Sequence, residues 1–198
     1  LNAQLERSRV ERLRGRARFL SPEVVEVRSP DRSVRRIRAE RIVIATGSRP
    51  RKPDNVPVDH EHVLDSDSIL SLIYLPQSIT VLGAGVIASE FASIFAALGV
   101  KVTMVDAAPR PLFFADPELT TRFTRAYEGM GGVFLPNQKP EEVHWDGTAV
   151  VTRLAGGEEL RSEKLLCAQG RMANVADLGL EAAGVKLGPR GHVQVEMS

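Results

Sequence analysis

One cysteine, Cys167, is the whole thiol complement of the 198 residues. It excludes an internal disulfide framework, a cysteine-based zinc site and a redox-active cysteine pair within this chain. The four histidines are scattered. Only His60 and His62 lie close enough to suggest a metal pair, against the plainer alternative of a loop surface. No metal site is expected. Aromatic residues make up 5% of the sequence, and the arginine-rich start holds only Phe19. Base stacking along a nucleic-acid strand would find almost nothing there. No apolar run approaches the roughly 18 residues of a membrane span, and no basic-then-apolar stretch opens the sequence. A soluble, cytoplasmic protein with no membrane partner is the expectation.

The near-neutral net charge of +1 hides an imbalance. Residues 1–52 hold 15 of the 26 basic residues and 6 of the 25 acidic ones, so the remainder is acidic. One reading is a nucleic-acid footprint. The other is a surface of arginine-rich strands whose acidic partners lie elsewhere. The lack of aromatics favours the second, and nucleic acid is not an expected partner. At 43% hydrophobic, the chain is able to bury a core of one large domain or two small ones.

Residues 1–13 read as the end of an amphipathic helix, closed by Gly15. Ala17–Leu20, Val24–Val27 and Val34–Arg38 read as strands, with Ser29-Pro30-Asp31 as a turn. Ile42–Ala45 is continuous and apolar, which predicts a buried, parallel strand. Asp65-Ser66-Asp67 would cap a short helix through Leu72. Asp116-Pro117-Glu118 starts a longer helix that ends at Gly131-Gly132. Val133–Leu135 and Leu165–Ala168 predict further buried strands, with hairpin turns at Asp146-Gly147 and Gly156-Gly157 between them. A last strand is expected near His192–Val195.

The densest signal lies between residues 79 and 106. Ile79–Leu82 predicts a strand running into Gly83-Ala84-Gly85-Val86-Ile87-Ala88. A helical pattern follows on Ile87, Phe91, Ile94, Phe95 and Leu98, stopped by Gly99, and then a strand over Val100–Val105 ending at Asp106. This is the strand, glycine turn, helix, strand and acid of a dinucleotide-binding unit. Gly83 allows the tight turn, Gly85 lets backbone approach a pyrophosphate, and Ala88 lets the helix pack close. Free N–H groups at the helix start suit phosphate oxygens. Asp106 would accept hydrogen bonds from the adenosine ribose and repel a 2′-phosphate, which favours NAD over NADP. Arg110 either offsets that repulsion by pairing with the phosphate or merely starts a loop. Tolerance of both cofactors, with NAD the tighter, is the expectation. Glu90 either faces solvent or a cofactor ring. Cys167 reads as a small core hydrophobe.

Three segments occur in order: Ile42-Val43-Ile44-Ala45-Thr46-Gly47-Ser48, Gly83-Ala84-Gly85-x-x-Ala88-x-Glu90, and Ala168-x-Gly170-Arg171-x-x-Asn174. Together they resemble the flavoprotein pyridine nucleotide–disulfide oxidoreductases across nearly the whole chain. The resemblance implies FAD and NAD(P) as cofactors and a homodimer for the parent protein. It places Thr46 and Gly47 against FAD, and Gly83, Gly85 and Ala88 on the NAD(P) pyrophosphate. Glu90 would sit near nicotinamide and flavin, Gly170 on the nicotinamide side, and Arg171 between the two cofactors. Val86 stands where several relatives carry an aromatic residue over the flavin, so any nicotinamide lid would be slight. No residue of this chain is assigned as catalytic.

The implied fold is α/β: a Rossmann-like parallel sheet with a β-meander for NAD(P), plus strands of a partial FAD-binding domain. The expected division is 1–75 for the partial FAD-binding domain and connector, 76–172 for the NAD(P)-binding domain, and 173–198 for a return segment. Asp65–Leu70 and Ala92–Phe95 resemble most the transhydrogenase branch, which moves hydride between NADPH and NAD through FAD. A lipoamide dehydrogenase or mercuric reductase-like member and a free-standing NAD-binding module are the alternatives. The 198 residues read as an internal piece, expected to bind NAD but to lack transhydrogenase activity alone. Ile42–Ala45 would present an open apolar edge that favours dimerisation, strand exchange or disorder around residues 1–45.

Overall fold

The computed structural model describes residues 2–195. They divide into two units. One takes the chain up to Arg49 and from Met172 onward, and the other is Pro50–Arg171.

The first unit opens with helix α1, Asn2–Arg7. The expected helix over residues 1–13 is cut short there, because Arg9 turns to a φ of +54° and the Val10 N–H folds back onto the Leu5 carbonyl. Strands β1 (Arg16–Ser21), β2 (Val24–Arg28) and β3 (Val34–Arg38) form an antiparallel meander. Alternation buries Phe19 and Val27 and turns the arginines outward. Many of those arginines find acids inside the same block rather than elsewhere. Glu26 lies opposite Arg18 and Arg36 in the ladders and 3.7 Å from both the Arg28 and Arg36 guanidinium groups. Arg35 pairs with Glu11 at 2.7 Å and Arg38 with Glu23 at 2.8 Å. The later segment docks on β1, where the Phe19 N–H donates to the Leu178 carbonyl at 2.7 Å. Gly179 follows with a φ of +64°, and a Cβ there would meet the Phe19 carbonyl oxygen at 2.7 Å.

Two expectations in this unit fail. Ile42–Ala45 is not a strand, and Val43 is 87% exposed. Its side chains alternate between half-buried and exposed, as in extended chain. No strand of the described residues pairs with it, and without a ladder an apolar run stays unpaired. The strand near His192–Val195 reduces to a single bridge between Leu187 and Val193. The chain passes between the units through β4 (Ser48–Pro50) and β13 (Arg171–Ala173), which pair as a short ribbon.

The second unit is built on a five-stranded parallel sheet. Its strands are β5 (Val63–Asp65), β6 (Ser78–Leu82), β7 (Lys101–Val105), β8 (Val133–Leu135) and β12 (Lys164–Cys167). The order across the sheet is β5-β12-β6-β7-β8. Strands covered on both faces need near-continuous apolar sequence, and Ile79, Val81, Leu82, Val102, Met104, Leu165 and Leu166 supply it. Helices α2 (Val86–Ala97) and α3 (Pro117–Gly129) cover one face. The antiparallel meander of β9 (Pro140–Trp145), β10 (Val150–Leu154) and β11 (Glu159–Ser162) covers the other.

Helix α3 begins as expected, with Asp116 Oδ1 accepting from the Glu118 N–H at 2.8 Å and Pro117 in the first turn. The buried stripe of α2 differs from the one read from large apolar residues. Ala88, Ala92, Phe95 and Ala96 face the sheet, while Ile94 and Leu98 are exposed. Close packing on a sheet selects small side chains. The connector after Pro50 belongs to this unit rather than to a domain ending at residue 75, because β5 pairs with β12 at the sheet edge. Asp65 at its end caps the following 3-10 turn, Ser68–Ser71. Its Oδ1 accepts from the Ser68 N–H at 2.8 Å and the Asp67 N–H at 3.1 Å.

Candidate dinucleotide-binding site

In this strand order, the chain leaves β6 toward β7 on one side, while β12 occupies the other. The carboxyl ends of β6 and β12 therefore flank a topological switch point, where open α/β sheets bind ligands. Gly83 follows β6 and Ala168 follows β12. Gly83 takes a φ of +108°, and a Cβ on it would stand 2.6 Å from the Ala168 carbonyl oxygen. Only glycine lets the turn pass so close. Its N–H donates to the Val105 carbonyl at 2.8 Å.

Gly85 is different. Its φ of −75° suits any residue, and a Cβ there would meet nothing within 4 Å. Its glycine is not required by packing. It keeps open the ground in front of α2, whose N-terminus has no side-chain cap and no acid in its first turn. Uncapped N–H groups with a partial positive charge form an anion-binding end. Ala88 is fully buried beneath it. Val86 and Glu90 are exposed on the helix, so Glu90 faces solvent in this structure.

Asp106 is half-buried at the end of β7, with both oxygens engaged by backbone. Oδ2 accepts from the Ala84 N–H at 2.7 Å and Oδ1 from the Ala108 N–H at 2.7 Å. The acid expected to meet a ribose thus also holds the glycine turn, a role the sequence pattern did not reveal. Arg110 is half-buried too. Its Nη1 donates to the Thr120 Oγ1 at 2.9 Å and the Ala115 carbonyl at 3.1 Å. Of the two readings of Arg110, the contacts are those of a loop anchor.

Gly170 follows β12 with a φ of +101° and open space around its α-carbon. The Arg171 Nη1 donates to Ser66 Oγ at 2.8 Å and to Asp67 Oδ1 at 3.2 Å. Ser66 and Asp67, read as part of a helix cap and of the segment Asp65–Leu70, directly follow β5 at the carboxyl end of the sheet. Thr46 and Gly47 lie in the first unit. Asn174 binds both: its N–H donates to the Gly47 carbonyl at 3.0 Å and its side-chain amide to the Thr46 carbonyl at 3.2 Å. Cys167 is buried, and burial pushes its thiol above the ordinary range, as suits a core residue. His62 stacks on Trp145 at 3.8 Å between ring centroids, and His60 stands 3.8 Å from Asp65. Among the described residues no group of three or more ligating side chains comes together. No helix among them is long and apolar enough to cross a membrane.

The residues at the switch point fit a dinucleotide. The helix end is uncapped, the ground before Gly85 is open, and a carboxylate stands at the end of β7 beside the glycine turn.

Comparison with known proteins agrees. The family model described as pyridine nucleotide-disulphide oxidoreductase matches residues 2–198. The soluble pyridine nucleotide transhydrogenase of Colwellia psychrerythraea is 44% identical over 189 residues, which cover 96% of this chain and 41% of that protein. That of Pseudomonas aeruginosa is 37% identical, with the same coverage. LpdA from Mycobacterium tuberculosis superposes with a TM-score of 0.90 at 26% identity, over 98% of this chain and 44% of that one. The flavoprotein disulfide reductase RclA from Escherichia coli gives a TM-score of 0.81 at 29% identity, over 94% and 42%. This chain thus spans about two-fifths of the length of these relatives. The chain belongs to the pyridine nucleotide-disulphide oxidoreductase family.

Proposed function

We propose that this chain binds a nicotinamide adenine dinucleotide at the carboxyl ends of β6 and β12, as the NAD(P)-binding part of a flavin-dependent oxidoreductase. The observation that supports this best is the uncapped start of α2 behind the open ground at Gly85. Gly83, Gly85, Val86 and Ala88 would hold the pyrophosphate, and Asp106 the adenosine ribose. Gly170 and Arg171 would border the nicotinamide end, with Glu90 near it, and Thr46 and Gly47 would lie against FAD. Bound nicotinamide supplies the hydride chemistry, while the protein binds, orients and excludes water. For the whole protein, the similarity to the transhydrogenases supports hydride transfer between NADPH and NAD with FAD as carrier.

Titration with NADH, followed by nicotinamide fluorescence, tests the binding reading. Saturable binding of one NADH per chain is the expected result, and absence of binding refutes it. A disulfide reductase is the second reading, favoured by the likeness to RclA. In the whole flavoprotein, NADPH-driven reduction of a thionicotinamide analogue of NAD supports the first reading. NADPH-driven disulfide reduction without it supports the second.

A further inference from the structure

The loop 107–115 is stitched on two sides. Toward the glycine turn, the Ala84 N–H donates to Asp106 Oδ2, and the Leu112 N–H donates to the Ala84 carbonyl at 2.8 Å. Toward α3, both bonds of the Arg110 Nη1 go to protein oxygens, the Ala115 carbonyl and Thr120 Oγ1. Thr120 is fully buried, and its hydroxyl donates a hydrogen bond to the Pro117 carbonyl at 3.1 Å. The Arg110 guanidinium also lies 4.9 Å from the centre of the Phe113 ring, a cation–π distance.

We propose that Arg110 is a positioning residue that locks this loop over the glycine turn through Thr120. The proposal rests on the dinucleotide-binding reading above. An arginine that reads a 2′-phosphate presents paired N–H groups to it. Here the Nη1 protons are turned into the loop and the guanidinium is held against Phe113. Asp106 is fixed on the other side of the loop by two N–H donors, from Ala84 and Ala108.

Arg110→Ala, Thr120→Val and Thr120→Ser are compared with the unaltered protein by NADH and NADPH titration. Amide hydrogen exchange at Ala108 and Leu112 is measured without nucleotide. Arg110→Ala and Thr120→Val should each weaken NADH and NADPH by the same factor, about five-fold, from ordering a loosened loop on binding. The NADPH/NADH ratio should stay fixed, exchange at Ala108 and Leu112 should quicken, and Thr120→Ser should match the unaltered protein. The double variant should be no worse than either single one, because both break one link. If Arg110→Ala weakens NADPH much more than NADH, Arg110 is a phosphate ligand and the proposal fails. It also fails if exchange at the two amides is unchanged. If the unaltered protein binds neither nucleotide but exchange quickens as stated, the tether stands, while the binding reading falls.

Discussion

Gly83 and Gly85 belong to one motif but are glycine for different reasons, and substitution separates them. At Gly83 an alanine meets a left-handed backbone, which costs about 1–2 kcal/mol. Its methyl also stands 2.6 Å from the Ala168 carbonyl oxygen, so backbone must shift. A total of about 2–4 kcal/mol is expected. That lowers the melting temperature by roughly 6–12 °C, at about 3 °C per kcal/mol for a chain of this size. At Gly85 a valine has an ordinary φ and open space, so stability should change by no more than about 1 kcal/mol. Its side chain would stand where a phosphate meets the N–H groups of α2. Charge-assisted hydrogen bonds contribute about 1.5–3 kcal/mol each, so losing one weakens NADH roughly 10- to 100-fold. Thermal melting and NADH titration of Gly83→Ala and Gly85→Val measure both effects. If Gly85→Val melts as low as Gly83→Ala, or binds NADH like the unaltered protein, the division of roles between the glycines is wrong.

Three further outcomes follow from the second unit. Gly132 lies against the Tyr127 ring, with no room for a Cβ, so Gly132→Ala should destabilise by about 2–3 kcal/mol in chemical denaturation. Cys167 should resist a thiol reagent at pH 8 in the native protein and react at once in denaturant, since it is buried and its thiol is pushed up. Burial pushes the Asp65 carboxyl up, but hydrogen bonds from Ser68 and Asp67 outweigh it and leave it below its usual value. Its ionised form is therefore favoured by folding. That contribution is complete above the unfolded value of about 3.9 and is lost as pH falls through the lower folded value. Asp65→Asn should then narrow its stability deficit, in urea midpoints, between pH 6 and pH 2.5.

The strand–turn–helix unit was legible because its determinants are local. The order of strand, glycine turn, helix and acid is written in consecutive residues, and the Asp116 cap acts on the Glu118 N–H two positions on. Ile42–Ala45 was not, because an apolar run becomes a strand only beside a partner, and none of the described strands takes that place. The joining of β5 to the second unit was equally hidden: three residues pair with β12, about a hundred positions later. Arg110 showed two possible roles in sequence. The direction of its guanidinium, toward Thr120 ten residues on, is a property of the folded loop. Asn174 and Asp67 lay inside recognised motifs, yet their bonds to Thr46 and Arg171 cross more than a hundred residues.

Backbone amide NMR shifts on addition of NADH test dinucleotide binding at the switch point most directly. The largest changes should fall on Gly83 to Ala88, Ala108 and Gly170, with the first unit's meander unmoved. Saturable changes centred on other residues, or no changes at millimolar NADH, would contradict binding at the α2 N-terminus.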